Sequence, residues 1–437
     1  MNPETRNLVA AICLSMAVLV GYQMLFGKAP KDQTKNDTGT SKVAEVNNEP
    51  SIDLPKEETE DIFVEKKKKN YKKVPRVKIL NNELIGSISL IGARIDDLTL
   101  VNYRKTLDPE SDQIRFLKKI NGEQPFFAQF GWSSPDDIQV PNGNTVWETS
   151  GKVINPDKSI TLKWENKQGI KFFQKISIDN NFMIKVEQKV INKTNNKIKL
   201  YPYGLIRRSG EPVTTDFFVL HEGPLGVFDG SLTEKSYGDL KESGKSGLTF
   251  TPEKLGGWIG ITDKYWMAAL VPDQSKKSKF TYRYINSNRS YQTDYLGQLS
   301  VIPANSESVV TSRVFSGAKK LNLLDSYEND LKIEHFDLAI DFGWFYFLTK
   351  PFFYALSWAN NLLGNFGLAI LAITVVVKLV FFPLANKSYK SMARMRNLSP
   401  QLQQLRERFG NDRQKMNQEM MALYKREKVN PAAGCLP

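Results

Sequence analysis

The segment FGLAILAITVVVKLVFF, residues 366–382, is almost wholly apolar and carries a single charge, that of Lys378. A run of this length and composition is typical of a helix that crosses a membrane. A charged side chain within hydrocarbon costs at least about 2.5 kcal/mol, so Lys378 needs an explanation. Its long stem could carry the amine to the nearer interface, because Leu384 lies only roughly 9 Å further along the helix. The alternative is a polar cavity within the membrane, with Thr374, one turn earlier, beside Lys378 on its wall.

The distribution of charge predicts which side of the membrane follows this segment. The chain has 437 residues and a net charge of +13, and it is long enough for more than one domain. Residues 387–428, directly after the apolar segment, contain eleven Lys or Arg and four Asp or Glu. A basic excess beside a span marks the cytoplasmic side. Elsewhere both signs are interspersed, so the composition does not indicate direct binding of nucleic acid.

The few cysteines and histidines exclude several kinds of site. Cys13 and Cys435 lie in apolar or membrane-adjacent settings and provide neither a disulfide framework nor a thiolate metal cluster. His221 and His335 are far apart in sequence and give little material for a metal site or a catalytic triad. We therefore expect no metal, no cofactor and no catalytic residues.

The first 75 residues read as a membrane anchor followed by a tether. Residues 8–26, LVAAICLSMAVLVGYQMLF, form a 19-residue apolar stretch within an anchor segment 1–27. A cleaved signal peptide is the alternative, but the flank after Phe26 lacks the small-x-small cleavage pattern. Residues 28–75 are rich in Lys, Asp and Glu and too poor in apolar residues to form a core, so we expect a disordered charged tether.

Residues 76–317 have the pattern of an antiparallel β-domain. In residues 160–164 the apolar side chains of Ile160, Leu162 and Trp164 share one face, and the same period of two recurs in residues 170–178 and 184–190. Asn and Gly pairs separate these runs, as expected for turns between strands. The pattern predicts a single large β-sandwich outside the membrane.

Helical spacing returns after the β-domain. Residues 318–340 predict a helical connector, and residues 341–363 predict an amphipathic helix with a kink or a restart at Pro351. Because this helix directly precedes the span at residues 364–384, we expect it to lie at the headgroup level. Its anchoring side chains are the aromatic residues Trp344, Phe347, Phe352 and Trp358.

Residues 385–429 predict a cytoplasmic helical hairpin. Met395, Leu398, Leu402, Leu405 and Phe409 recur by three and four, a heptad seam that ends at the turn 410–412. A second helix carries Met416, Met420 and Leu423, and the first arm is expected to break at Ser399-Pro400. The cationic side chains that we expect to bind cytoplasmic partners are Lys387, Lys390, Arg394, Arg396, Arg406, Arg408 and Arg413.

Four motifs in order resemble the YidC/Oxa/Alb family of membrane protein insertases. They are FDLAIDFGWFYFLTKPFF at 336–353, GNFGLAI at 364–370, FFPLANKSYKSMARMRNLSP at 381–400 and GNDRQKMNQEMMALYKREKVNPAAGCLP at 410–437. The resemblance is close over the carboxy-terminal hundred residues. The anchor, tether and β-domain resemble the Gram-negative members of the family in order and size.

The resemblance implies a fold and a function. It implies a periplasmic β-supersandwich and a hydrophilic groove, open to the cytoplasm and the bilayer, within a bundle of membrane helices. Lys378 matches the basic groove position, where many relatives carry Arg, and Thr374 matches a groove position that meets the translocating chain. The implied function is the insertion, folding and assembly of inner-membrane proteins, with or without the Sec translocon, and without chemical catalysis.

The resemblance also implies partners and a location. The partners are nascent membrane proteins, Sec translocon components, the ribosome, the signal recognition particle system and the lipid bilayer. The location is the cell inner membrane, with several crossings, the large domain in the periplasm and the hairpin in the cytoplasm. In the family the motif at 434–437 opens a further membrane helix, so residues 430–437 are expected to be the start of a truncated third span.

Two other functions are compatible with parts of the sequence. Supersandwich folds resemble aldose mutarotases, so the β-domain could bind or act on a carbohydrate through His221 and Glu222. Chemistry of that kind uses a histidine with a carboxylate, but an adjacent pair more often reflects a loop. A periplasmic scaffold of the translocase, with the membrane segments as mere anchors, would explain the β-domain but not Lys378.

Overall fold

The computed structural model describes residues 74–212, 220–244, 246–343, 345–409 and 412–427, without the side chain of Arg413. The expected anchor at 8–26, almost all of the tether, Trp344, the turn residues 410 and 411 and the segment 430–437 lie outside the described residues. The five helices of the described part are α1 (Tyr237–Glu242), α2 (Leu321–Leu331), α3 (Tyr346–Leu363), α4 (Phe366–Phe409) and α5 (Arg413–Arg426).

Twenty strands precede α2, and α1 lies among them. In chain order they are β1 (Arg76–Leu80), β2 (Leu84–Ser89), β3 (Ile95–Arg104), β4 (Gln113–Leu117), β5 (Phe126–Ser133), β6 (Glu148–Thr149), β7 (Val153–Ile154), β8 (Ile160–Glu165), β9 (Ile170–Ile178), β10 (Met183–Asn192), β11 (Ile198–Ser209), β12 (Gly223–Phe228), β13 (Ser231–Glu234), β14 (Leu248–Phe250), β15 (Trp258–Thr262), β16 (Trp266–Val271), β17 (Ser278–Ile285), β18 (Ser290–Gly297), β19 (Ser300–Ile302) and β20 (Glu307–Ala318).

The strands form two sheets. The first has eleven strands in the order β14-β17-β18-β11-β5-β3-β2-β1-β7, with β19 beside β11 and β4 beside β3. The second has nine strands in the order β13-β12-β15-β16-β20-β10-β9-β8-β6. All described pairings between named strands are antiparallel except that of β1 with β7. Because β6 ends one sheet and β7 ends the other, residues 148–154 link the two sheets at one edge.

The expected alternation along the strands is confirmed. In β8 the side chains of Ile160 and Leu162 are buried and that of Trp164 is partly buried, and in β9 Ile170, Phe172, Ile176 and Ile178 are buried. The register pairs these residues across strands, for example Phe172 with Val190. Period two therefore correctly identified the face of each strand that enters the core.

Buried amides join the two sheets across the core. The Gln174 side chain donates from Nε2 to the carbonyl of Phe130 at 2.9 Å, and that of Gln188 donates to the carbonyl of Gly131 at 2.8 Å. Both glutamines belong to the second sheet and both carbonyls to the first. These bonds satisfy polar groups that would be costly to bury alone, so they fix how the sheets lie on each other.

The helical connector expected over 318–340 consists of one α-helix and a 3₁₀ turn. Helix α2 ends at Leu331 because Lys332 takes a left-handed conformation with φ of 58°, and a 3₁₀ turn then covers Phe336–Ala339. The Phe336 ring is fully buried and packs edge-on against Trp258 and Phe315, with centroids 5.3 and 5.6 Å away. The connector is thus part of the β-domain core.

The membrane segment and the first hairpin arm form one helix. Helix α4 runs through Pro383 and Pro400 without interruption, so the expected break at Ser399-Pro400 is wrong. Proline removes one backbone hydrogen bond, but packing on both sides of Pro400 can hold the helix together. Leu398 is buried against Leu423 of α5, with Met395, Leu402 and Leu405 around them. Most of the heptad seam predicted from the sequence therefore forms the contact between α4 and α5. Pro351 also lies inside a helix, α3, that continues through it.

Lys319 allows a pH-dependent prediction about the β-domain. Its amine donates to the Thr262 hydroxyl at 3.0 Å, and burial lowers its pKa to about 8, because the nearby charges of Asp263 and Asp341 only partly offset the loss of water. Between this pKa and the ordinary one the unfolded chain binds more protons, so the Lys319 contribution to stability rises with pH. We expect Lys319→Met to stabilise the domain by about 1–2 kcal/mol near neutral pH, with a smaller gain towards pH 10. Thermal unfolding of both proteins across this pH range checks it, and a pH-independent difference would contradict it.

The hairpin contact gives a second prediction. Replacing Leu423 with Ala removes apolar contacts with Leu398 and should destabilise the hairpin by ~2 kcal/mol. Amide hydrogen exchange in α5 should then become faster. Met421 on the same helix is 52% exposed and provides the control, since Met421→Ala should leave exchange in α5 nearly unchanged. Equal exchange rates in both variants would show that the seam does not hold the hairpin.

Candidate functional site: the membrane helix and the elements beside it

Helix α4 is, among the described residues, the one helix that is long and apolar enough to cross a membrane. Almost all of its apolar window is exposed in the protein alone, as expected for a surface whose solvent is lipid. Forty-four residues extend roughly 66 Å, about twice the thickness of the hydrocarbon core. The carboxy-terminal half of α4 must therefore project beyond the membrane.

Lys378 and Thr374 lie one turn apart on this apolar part of α4. The Lys378 side chain is exposed and forms no ion pair or hydrogen bond with any part of the chain that the structure describes. The Thr374 hydroxyl donates to the carbonyl of Ile370 at 2.7 Å, so its proton is already used within the helix. The described residues bring these two side chains together, but they do not form the walls of a groove around them.

Helix α3 presents a broad apolar surface. Phe347 is 60% and Trp358 is 66% exposed, and Phe352, Leu348 and Leu362 are exposed as well. Helix α3 contacts α4 after a tight turn at Gly364, whose φ of 66° favours glycine and whose N–H donates to the carbonyl of Asn360 at 2.7 Å. Ala359 on α3 and Ala369 on α4 are both buried, as expected where two helices approach closely.

A polar stripe of α3 contacts the β-domain. Tyr346, Lys350 and Tyr354 recur every four residues and therefore form one stripe along the helix. The Lys350 amine lies 2.5 Å from a carboxylate oxygen of Asp337 and 3.5 Å from one of Asp325. Sequence reasoning missed this stripe, although the spacing of two tyrosines around a lysine was the signal that could have found it.

The ionisation of this cluster follows from its contacts. Burial alone would lower the pKa of Lys350, but its hydrogen bonds to Asp337 and Tyr346 and the charges of both aspartates outweigh burial and raise the pKa. Burial alone would raise the pKa of Asp337, yet the hydrogen bonds from Lys350 and Tyr346 lower it. Both groups are thus held in their charged forms.

Within the part of the chain that the structure describes, one cluster of possible metal ligands also involves Asp337. Oxygen and nitrogen atoms of Glu328, His335 and Asp337 lie within 4.8 Å of one another. The Lys350 ammonium already supplies the positive charge beside Asp337, and a divalent cation there would be repelled by it. We therefore assign Asp337 to the ion pair with Lys350 and not to metal binding.

The basic residues expected to bind partners lie on the projecting half of α4 and on α5. The side chains of Lys387, Lys390, Arg394, Arg396, Arg406 and Arg408 are all exposed, and Arg413 is the first residue of α5. Helix α5 begins at a cap in which Asp412 accepts a hydrogen bond from the Lys415 backbone at 3.1 Å. The hairpin is thus a stiff rod with cations along it.

The His221 and Glu222 side chains of the carbohydrate hypothesis each contact backbone groups of the β-domain. A His221 ring nitrogen lies 3.1 Å from the carbonyl of Pro224, and the Glu222 carboxylate accepts a hydrogen bond from the Lys264 backbone at 2.9 Å. His221 thus contacts its own loop, and Glu222 joins that loop to the turn between β15 and β16.

Comparison with solved structures gives only weak likenesses. A galactose mutarotase related enzyme from Lactobacillus acidophilus is 12% identical, with a TM-score of 0.38 over 55% of this chain and 97% of that one. A galactose mutarotase-like protein from Lactobacillus casei is 10% identical, with a TM-score of 0.35 over 55% of this chain and 99% of that one. These likenesses are too weak to support an argument about activity.

Sequence comparisons identify the family. The profile of the family described as YidC periplasmic domain matches residues 76–355, and that of the 60Kd inner membrane protein family matches residues 358–437. The chain is 41% identical over 440 residues to the membrane protein insertase YidC of Rickettsia prowazekii, covering 100% of this chain and 77% of that protein. It is 40% identical, with the same coverage, to the corresponding insertase of Rickettsia bellii. The chain therefore belongs to the YidC family of membrane protein insertases.

Proposed function

We propose that the chain inserts proteins into the inner membrane by receiving polar parts of the incoming segment at Lys378, without chemical turnover. The observation that carries the proposal is a cation on the one described membrane helix with no counter-ion among the described residues. An ammonium in hydrocarbon without a partner is so unfavourable that water or an anionic group must reach it. Acidic side chains of a translocating segment would meet this need.

The physical problem for any inserted protein is its polar tail. Each unsatisfied polar group in hydrocarbon costs several kcal/mol, so a short tail cannot cross an intact bilayer quickly. A wet groove that extends partway into the membrane shortens the dry path, and Lys378 and Thr374 would lie on its wall. The apolar segment of the substrate would leave sideways into lipid.

The same proposal assigns an orientation to each part. The basic hairpin after the apolar part of α4 would lie in the cytoplasm and the β-domain in the periplasm, in accordance with the excess of Lys and Arg. Because α4 is continuous, partner binding on the hairpin would act directly on the helix that carries Lys378. The partners we propose for the hairpin are the Sec translocon, the signal recognition particle system and the ribosome.

The exposed face of α3 supports an interfacial location for this helix. Aromatic side chains at positions 347, 352 and 358 would lie at the headgroup level, where amphipathic rings are favoured. Its polar stripe contacts the β-domain, and its exposed aromatic side chains would contact lipid. This arrangement would place the β-domain directly on the outer surface of the membrane.

Substitution of Lys378 tests the groove. In the full-length protein, Lys378→Ala should reduce insertion of a substrate with a short acidic tail by roughly tenfold. Lys378→Glu should reduce insertion further, because its carboxylate repels the acidic tail. Lys378→Arg keeps the charge and should retain most activity. Lys167→Ala, which removes an exposed lysine from the turn between β8 and β9, is the matched control. If insertion continues unimpaired in both the Ala and Glu variants, the amine merely extends to the interface.

Spin-label accessibility tests the position of α3. With Cys13 and Cys435 replaced by Ser, single cysteines at Phe347 and Trp358 can carry the label. We expect these labels to be relaxed by oxygen, which concentrates in lipid, and protected from a water-soluble nickel complex. A label at the exposed Val309 of β20 is the control and should show the reverse. If the nickel complex reaches the labels at Phe347 and Val309 equally, α3 does not lie in the membrane.

A further inference from the structure

We propose that Asp337, Asp325 and Lys350 are positioning residues that join the interfacial helix α3 to the β-domain as one rigid unit. This inference rests on the proposed interfacial location of α3 and extends it, because it assigns a mechanical role to a cluster outside the groove. The cluster consists of two carboxylates on the connector and the stripe of Tyr346, Lys350 and Tyr354 on α3.

The carboxylate side of the cluster is firmly held by the β-domain. Asp337 directly follows Phe336, whose ring is buried among Trp258, Phe315 and Tyr327. The indole N–H of Trp258 donates to the carbonyl of Glu334 at 3.2 Å, which fixes the chain just before Asp337. Asp325 lies on α2, whose Leu324 is fully buried in the same core. Neither carboxylate can move without disturbing that core.

The helix side of the cluster meets these carboxylates at several points. The Asp337 side chain is only 1% exposed, and it accepts hydrogen bonds from Lys350 at 2.5 Å and from the Tyr346 hydroxyl at 2.6 Å. The Tyr354 hydroxyl donates to Asp325 at 2.5 Å, so the contacts with the carboxylates extend over two turns of α3, from Tyr346 to Tyr354. A buried carboxylate that loses its cation is left with an uncompensated charge, so separating the helix from this surface is unfavourable in free energy.

A short link joins the connector to α3, and Phe342 in this link is buried and packs edge-on against Tyr346 and Phe353. Five residues lie between Ile340 and Tyr346, so the two ends could be roughly 20 Å apart, and Gly343 has a φ of 68° that few other residues adopt. The Thr349 hydroxyl donates to the carbonyl of Phe342 at 2.8 Å and so holds the end of this link against α3. The charged cluster adds ion pairs and hydrogen bonds to these contacts, and together they hold α3 in one orientation on the β-domain.

The selected orientation has a consequence for insertion. With the stripe of Tyr346, Lys350 and Tyr354 against the β-domain, the exposed Leu348 and Phe352 point away from it, and Phe347 and Trp358 flank the stripe. The β-domain then sets the rotation of α3 in the interface and, through the turn at Gly364, the entry of α4 into the bilayer. Loss of the cluster would let α3 roll or swing relative to the β-domain.

A distance measurement on the full-length protein tests whether the cluster holds α3 in one position relative to the β-domain. Cys13 and Cys435 are replaced by Ser, and spin labels are attached at Val309→Cys on β20 and Asn361→Cys near the end of α3. We expect a narrow distance distribution that becomes clearly broader in Lys350→Ala and in Asp337→Asn. Insertion should fall in the same variants by a factor of roughly five or more. Lys350→Arg reaches the same carboxylates and should restore both readouts.

Controls separate positioning from general stability and from the groove. Lys320→Ala removes a 2.7 Å ion pair with Glu83 elsewhere in the same domain and should leave the distribution narrow. Lys378→Ala should impair insertion without changing the distances, so failure of the groove and failure of the coupling give different results. Should Asp337→Asn fail to fold, Lys350→Ala decides alone, since Lys350 lies outside the β-domain core. An unchanged distribution in Lys350→Ala would overturn the proposal.

Discussion

Backbone hydrogen bonding determines which parts of this chain can face lipid. In hydrocarbon every N–H and C=O needs a partner within the protein, so a single helix can cross and an open sheet cannot. The two sheets of the β-domain end in the strands β7, β14, β6 and β13, and these ends are compatible with water but not with lipid. The apolar part of α4 satisfies its own backbone and exposes nearly all of its side chains. The division into a water-exposed sandwich and a lipid-exposed helix follows from this constraint.

Helix α3 lies between the β-domain and α4 in the chain. Its polar stripe contacts carboxylates of the β-domain, and the exposed Leu348 and Phe352 lie on the side away from that stripe. Its charges face protein, where Asp337 and Asp325 compensate Lys350. Lys378 differs in this respect, because the described residues give it no such compensation. The contrast between a paired and an unpaired lysine separates a structural cation from a candidate functional one.

Sequence reasoning succeeded where a period was unambiguous. Alternation identified the core faces of β8, β9 and β10, and the heptad seam identified Leu398 and Leu423 as the contact within the hairpin. It failed where packing overruled local preference, since Pro400 was expected to end a helix that in fact continues through it. It also could not see that residues 148–154 pass from one sheet to the other, because a two-residue strand carries almost no periodic signal.

The sequence alone determined the membrane helix, the strand-rich domain, the hairpin and the position of Lys378, because each depends on the local spacing of apolar and charged side chains. Only the tertiary structure showed that Lys350 pairs with Asp337 and Asp325, and that the connector belongs to the β-domain core. These contacts join residues whose side chains meet only after the chain has folded back on itself. Spacing along a helix or strand records which face a residue occupies, whereas the partner that covers that face is set by how whole elements pack.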